Sequence, residues 1–388
     1  MTRKEDPGLL IDTLGLATRA KGLTKPNPLV GAVLVTPSGK KFQGYHPYHG
    51  GLHAEAVVLQ QAGDQARGGV LYCSLEPCCH SSKEKIQPPC AQTIIQAGVS
   101  KVVIGQLDPN PKVRGGGVAL LRQAGIEVEL SQSIEDFVRI NSNFNTVHLL
   151  NRPWVHLKAA ITLDGKIANL DGQSKWITGP SLRQRVQVLR SEHDAIGVGR
   201  GTVAQDDPHL DLRPADQQSN HAQPLAVVFD RNLSISSSSY LVTQRPKQLI
   251  ICCNKSSVDS PIGQKLTDQG VRLVPGDHTL QSHLAGLKAL GIQSILIEGG
   301  AGLFTTFLSQ GLWDEITLHI APSLMGQGLS VAGPLGSSSG SPAGNPLNLL
   351  NLEDPTWESL DGHGICHGYR PGWLEELVRG LEHVYRAG

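Results

Sequence analysis

His53-Ala54-Glu55, then Glu76-Pro77-Cys78, then Pro88-Pro89-Cys90 supply one imidazole, one carboxylate close behind it, and two cysteines brought in from further along the chain. This donor set suits a catalytic zinc, which takes three protein ligands and keeps a fourth position for water. With His53, Cys78 and Cys90 as ligands, zinc would lower the pKa of its water toward neutrality. Glu55 is not needed as a ligand and is placed to carry protons. The apolar run Ala56-Val57-Val58-Leu59 puts His53 and Glu55 at the opening of a helix, and Val70 to Leu75 reads as a buried strand that delivers Cys78 at its end. Two other readings stay open on these residues. A closed structural zinc would take Cys79 or His80 as its fourth ligand, which leaves Glu55 without a role. A Cys78–Cys90 disulfide would belong to an oxidising compartment.

Composition sets the frame for that chemistry. At 388 residues the chain is long enough for about two domains with cores of their own. It carries 34 basic and 34 acidic residues and only 4% aromatics, whereas a general nucleic-acid binder shows a basic face with aromatics to stack on. A small-molecule substrate is expected, with no nucleic-acid and no membrane partner. No apolar stretch approaches the roughly 20 residues of a membrane span, and Met1 to Asp6 is not followed by a signal-peptide core. The expected location is the cytoplasm. Seven cysteines, an odd number, fit reduced thiols, with Cys73, Cys252, Cys253 and Cys366 as ordinary core residues.

The pattern is α/β throughout and changes near residue 150. Before it come a helix over Gly8 to Ala20, a strand over Val30 to Val35, the metal elements, a helix over Ala91 to Ala97, a strand over Lys101 to Ile104, and then Val118 to Ala124 and Ile126 to Leu130. Asn141 to Arg152, rich in Asn, reads as the connection, giving domains 1–148 and 149–388. A second series of strands follows at Trp154 to Ala159, Ala195 to Val198, Leu225 to Phe229, Gln248 to Cys252, Val271 to Val274, Ser294 to Glu298 and Glu315 to Ala321. Ser234 to Ser239 and Gly336 to Asn345 read as loops. Two glycine-rich turns follow strands in this half: Gly197-Val198-Gly199-Arg200-Gly201-Thr202 and Glu298-Gly299-Gly300-Ala301-Gly302. Such turns let backbone N–H groups approach a phosphate at a helix N-terminus. Neither has the spacing of a Rossmann fingerprint.

Taken together, the motifs resemble the bifunctional riboflavin-biosynthesis family that joins a pyrimidine deaminase to a reductase. His53-Ala54-Glu55 fits the H-x-E signature of zinc deaminases. In the first half the resemblance also rests on Asn27-Pro28-Leu29-Val30-Gly31-Ala32, Leu75-Glu76-Pro77-Cys78, Pro88-Pro89-Cys90 and Asp108-Pro109-Asn110-Pro111. In the second it rests on Lys158-Ala159-Ala160, Leu163 to Ala168, Ser174 to Thr178, Gly201-Thr202-Val203-Ala204 with Asp206-Asp207-Pro208, and Glu298-Gly299-Gly300.

The resemblance implies a cytidine-deaminase-like three-layer α/β/α domain followed by a dihydrofolate-reductase-like α/β domain. It implies Zn²⁺ and NADPH as cofactors and a homo-oligomer. It also implies two reactions: hydrolytic deamination of 2,5-diamino-6-ribosylamino-pyrimidinone 5′-phosphate, then reduction of the ribosyl unit to ribityl. Asn27, His46, Asp108 and Asn110 match substrate positions in the deaminase, and Lys158, Ser174, Arg190, Leu210, Arg213 and Glu298 match them in the reductase. Ala160, Trp176, Thr202 and Asp206 match NADP positions, as does the turn Gly300, Ala301, Gly302, Leu303, Phe304, Thr305 and Thr306. Plainer roles compete for several of these: turn capping for Asn110, a surface salt bridge for Arg190 and Arg213, and core packing for Trp176.

One departure stands out. Eleven residues separate Cys78 from Cys90, where the family has a shorter loop with a Gly-Lys pair, and Lys83 and Lys85 compete for the substrate-contacting place. Residues 336–388 match less clearly and receive no site. A zinc deaminase of another substrate and a non-catalytic zinc scaffold are the competing functions. The first requires the second domain to be a binding appendage, and the second gives Glu55 no role.

Overall fold

The computed structural model describes residues 7–80, 88–213, 222–335 and 349–387. Lys83, Lys85 and the stretch Gly336 to Asn345 lie outside the described residues. Among those described, residues up to 150 together with those from 374 form one compact unit, and residues 151–373 form another.

The first unit is built on β1 (Gly31–Val35), β2 (Lys41–Tyr45), β3 (Val70–Leu75), β4 (Lys101–Gln106) and β5 (Glu127–Leu130), in the sheet order β2-β1-β3-β4-β5. β1 runs antiparallel to both neighbours, while β3, β4 and β5 are parallel. Around them lie α1 (Pro7–Ala17), α2 (Ala54–Ala62), α3 (Cys90–Ala97), α4 (Gly116–Gln123), α5 (Glu135–Ile140) and α6 (Ser142–Leu149). Strand side chains alternate between faces, and here both faces are apolar. Leu34, Leu71, Cys73, Val102 and Ile104 meet Val58 of α2, Ile94 of α3 and Leu121 of α4. Val33, Tyr72 and Val103 meet Leu9, Leu10 and Leu16 of α1 and Phe137 of α5. A helix layer on each face gives the three-layer arrangement expected from the sequence.

The expected connection at Asn141 to Arg152 is instead mostly helix, since α6 occupies Ser142–Leu149. Its asparagines are held by tertiary partners. The Asn141 side chain accepts from Leu29 N at 2.8 Å and donates to Leu29 O at 2.9 Å. Buried Asn145 accepts from Gln106 Nε2 at 2.7 Å and donates to Val138 O at 3.1 Å. Paired in this way, they no longer compete with the helix backbone as exposed asparagines do.

The second unit has a nine-stranded sheet. Its strands are β6 (Trp154–Thr162), β8 (Ala195–Gly199), β9 (Leu225–Phe229), β10 (Leu249–Asn254), β11 (Arg272–Gly276), β12 (Ser294–Gly299), β13 (Glu315–Ala321), β15 (Glu353–Leu360) and β16 (His363–Tyr369), while β7 (Lys166–Ala168) and β14 (Leu329–Ser330) pair separately. The order is β11-β10-β9-β8-β12-β6-β13-β16-β15, parallel as far as β13 and antiparallel beyond it. The helices are α7 (Pro180–Glu192), α8 (Arg200–Asp206), α9 (Tyr240–Gln244), α10 (Lys255–Val258), α11 (Pro261–Asp268), α12 (Leu280–Ala289) and α13 (Ala301–Ser309). Parallel strands covered on both faces read as continuous apolar runs, which is why the seven strands expected from the sequence recur here. A buried ion pair, Arg152 to Asp314 at 2.5 and 2.7 Å, ties the start of β6 to the start of β13.

The chain ends in α14 (Trp373–Ala387), whose residues from 374 group with the first unit, where the sequence reading ran the second domain through to 388. No helix among the described residues is long and apolar enough to cross a membrane.

Candidate active sites

In the first unit, α2 begins one residue after His53, whose extended backbone (φ −69°, ψ 155°) makes it the N-cap. Cys90 is the first residue of α3, set there by Pro89, and Cys78 follows β3. The Cys90 thiol is pushed well up by its hydrogen bond with Cys78 and by burial. His53 Nδ1 lies 3.2 Å from Cys90 Sγ and 3.7 Å from Cys78 Sγ, and all three donor atoms fall within 4.8 Å of one another. Zn–S bonds of about 2.3 Å and Zn–N bonds of about 2.0–2.1 Å in a tetrahedron put such donors roughly 3.5–3.8 Å apart. The triad therefore fits zinc. Hydrogen bonding with Cys90 draws the Cys78 thiol down to about 3 against the push of burial, with His53 assisting.

The same observations weigh against the alternatives. Cys79 is turned toward the carbonyls of Lys112 and Val113 at 3.8 and 3.7 Å, and the donor group among the described residues is three-membered. Every cysteine is a free thiol.

A cavity of about 400 Å³ opens onto the triad, lined by Asn27, His46, His53, Glu55, Glu76, Cys78, Asp108 and Asn110 among others. The expected deaminase residues thus share one cavity, with Cys90 buried behind it. Asn27 Nδ2 and His46 Nε2 are 3.1 Å apart, and His46 Nδ1 meets Leu52 O at 3.0 Å. Asn110 caps its turn as well, accepting from Lys112 N at 3.1 Å. Glu55 is 3% exposed, and its Oε2 has no hydrogen-bond partner among the described residues. Burial pushes its carboxyl above the ordinary value, opposed by His53 and reinforced by Cys78. Glu76 is raised by burial too, against the pull of four backbone amides, and nothing in its local sequence announces those partners.

The second unit holds a separate cavity of about 940 Å³. Lys158, Ala160, Ser174, Trp176, Arg190, Thr202, Asp206, Leu210, Arg213, Glu298 and Gly300 to Phe304 all line it. Thr305 and Thr306 do not; their hydroxyls bond back to Ala301 O and Gly302 O inside α13. The two glycine-rich turns come together, since a Cβ on Gly300 would lie 3.3 Å from Thr202 Oγ1. Gly300 also has φ +87°, a backbone state that glycine adopts without strain.

Trp176 is 66% exposed with the Arg183 guanidinium 4.6 Å over its ring, so it is not a core residue. Leu210 is buried, and its carbonyl is held by Arg245, which donates to the carbonyls of His209, Leu210 and Pro224. Arg245 and Arg183 were not legible as site residues, because both act through tertiary contacts.

Arg190 donates to both Glu298 oxygens at 2.7 Å and to Asp211 O at 2.8 Å. Both side chains line the cavity, and the pair is part-buried and not a surface bridge. The Arg190 charge holds Glu298 below the ordinary carboxylate value despite burial. Lys158 beside them is lowered to about 8, first by burial and then by Arg190, with Glu298 opposing. Removing one partner of a fully buried pair costs about 3–5 kcal/mol, and this part-buried pair, with side chains 15% and 11% exposed, should cost less. Arg190→Met is accordingly expected to lower the second unit's melting temperature, measurable by calorimetry; an unchanged transition would show that the pair adds no stability.

Comparison with known proteins places both units. Residues 153–364 match the RibD C-terminal domain family, and residues 8–106 match the cytidine and deoxycytidylate deaminase zinc-binding region. A riboflavin biosynthesis protein RibD from Aquifex aeolicus is 40% identical over 337 residues, covering 87% of this chain and 92% of its own. The chain belongs to the RibD family. Among solved structures, Acinetobacter baumannii RibD (form 1) superposes with a TM-score of 0.81 at 34% identity, over 94% of this chain and 98% of that one. The RibD-type deaminase/reductase of Thermotoga maritima gives 0.76 at 33% identity, over 94% and 98%. The chain is thus a riboflavin-biosynthesis enzyme with a cytidine-deaminase-like zinc-binding half and a RibD reductase half, as the motifs led one to expect.

Proposed function

We propose that the first unit removes an amino group by hydrolysis from 2,5-diamino-6-(5-phospho-ribosylamino)pyrimidin-4(3H)-one. The second unit then reduces the ribosyl group of the product to ribityl. The observation that carries this reading is the presence of two cavities, each inside its own unit and each gathering the residues its reaction needs.

In the deaminase, His53, Cys78 and Cys90 would hold zinc, which would supply the Lewis acidity that makes water nucleophilic near neutral pH. Glu55 takes a proton from the attacking water and returns it to the departing nitrogen, so that the water's oxygen replaces the amino group and ammonia leaves. Burial suits Glu55 to this exchange, because a raised pKa brings its two protonation states closer in energy. Asn27, His46, Asp108 and Asn110 orient the pyrimidine.

In the reductase, NADPH would, when bound, be the source of the hydride. Ala160, Trp176, Thr202, Asp206 and the N–H groups from Gly300 onward hold it, the last at the start of α13 where the helix dipole favours phosphate. Lys158 gives its proton to the ribose ring oxygen as the glycosylamine opens to an imine, whose carbon is the hydride acceptor. Glu298 is fixed by Arg190 and keeps Lys158 protonated near neutral pH. Arg213, exposed at the rim, is the phosphate partner, with Arg190, Ser174 and Leu210 completing the substrate contacts. The partner is a small phosphorylated pyrimidine in the cytoplasm, and the working form is a homo-oligomer.

Cys90→Ser is the direct test of the metal half. It is expected to lose bound zinc, measured by metal analysis, and with it ammonia release, while reduction of pre-deaminated substrate continues. Full zinc content in this variant would remove Cys90 from the ligand set.

A further inference from the structure

Glu76 has no part in the chemistry above, yet both of its carboxylate oxygens are fully engaged. Oε1 accepts from Gly117 N at 3.0 Å and Val118 N at 3.2 Å, and Oε2 accepts from Gly115 N at 3.0 Å and Asp108 N at 3.2 Å. The residue is 3% exposed. Each oxygen of a carboxylate offers two acceptor directions, so four amide donors use all of them. Three of these donors stand at the start of α4, where N–H groups lack intrahelical partners and negative charge is favoured. The fourth belongs to Asp108.

Between those anchor points the chain closes on itself. Asn110 N donates to Asp108 Oδ1 at 2.8 Å, Lys112 N to Asn110 Oδ1 at 3.1 Å, and Arg114 to Pro109 O at 3.0 Å. The start of α4 is also pressed onto the Glu76-Pro77 backbone, since a Cβ on Gly117 would come within 2.1 Å of Pro77 O. Both ends of the turn that brings Asp108 and Asn110 to the cavity are therefore tied to one side chain, two residues before Cys78.

We propose that Glu76 is a positioning residue for deamination, fixing Asp108 and Asn110 against the metal-ligand segment so that the pyrimidine is held in register with Glu55. The inference rests on the deaminase reading given above. A cap that merely stabilised the fold would act on zinc retention and turnover together. A positioning residue acts on substrate binding first.

Glu76→Gln keeps the shape but turns an NH₂ toward two backbone donors. Hydrogen bonds to charged groups are worth enough that the KM for the pyrimidine should rise roughly 10- to 100-fold. Zinc content, kcat within about five-fold, and reduction of pre-deaminated substrate should be kept. An unchanged KM, or loss of zinc in step with kcat, overturns the proposal. If wild type itself releases no ammonia, the deaminase reading falls; if wild type is active and Glu76→Gln binds substrate equally well, only the role of Glu76 falls. Should the variant fail to fold, hydrogen exchange on wild type decides. Slow exchange at the amides of Asp108, Gly115, Gly117 and Val118, slowing further with product bound, supports the role. Free exchange there, or no response to product, contradicts it.

Discussion

Glu55→Gln is expected to cut ammonia release by roughly a thousand-fold while zinc content and the reductase reaction stay at wild-type levels. The size follows from the task assigned to the carboxylate. Proton transfer by a positioned side chain contributes roughly 10²- to 10⁴-fold, and here the same group serves both the attacking water and the leaving nitrogen. Its position supports the role: it is buried at the first turn of α2, two residues from a metal ligand, with Oε2 unclaimed by any described residue. Glutamine has nearly the same shape and removes only the proton-carrying capacity. Deamination within about ten-fold of wild type would mean that another group moves the proton.

Lys158→Met is expected to cut reduction of the deaminated substrate by roughly 10²- to 10⁴-fold with little change in the KM for NADPH. Lys158 projects from β6 into the larger cavity beside the Arg190–Glu298 pair. Its acid form is the ammonium, which exists below its pKa. With that pKa lowered to about 8, kcat for reduction should fall as pH rises through about 8 instead of holding until the ordinary lysine value. The Lys158→Met variant should lack this alkaline limb. A wild-type profile flat to pH 10 would remove Lys158 as the proton donor.

Much of this arrangement was legible in the chain because its chemistry is local. His53 and Glu55 open one helix, Cys78 follows one strand and Cys90 opens another helix, so the residue types and the hydrophobic periods pointed the same way. The parallel strands of the second unit were legible for a related reason, being apolar on both faces. What was missed depends on distant partners. Asn141 to Arg152 looks like a linker by composition but is mostly helix, since Asn141 pairs with Leu29 and Asn145 with Gln106. β15 and β16 were not foreseen, because Gly, Asp and His interrupt their alternation and pairing with β13 holds them. The Arg190–Glu298 pair was not foreseen either, since more than a hundred residues separate its partners. Glu76 stood in a recognised motif without a role, because its four amide donors lie between 108 and 118.

The central claim is that one chain carries two chemically independent sites acting in sequence. Its most direct test is to follow ammonia and NADPH absorbance separately in one zinc-loaded preparation given the diamino ribosylamino substrate. The account predicts ammonia release first, then NADPH oxidation in equal amount, with ammonia alone when NADPH is omitted. NADPH oxidation without ammonia, or ammonia release that never leads to NADPH consumption, would contradict it.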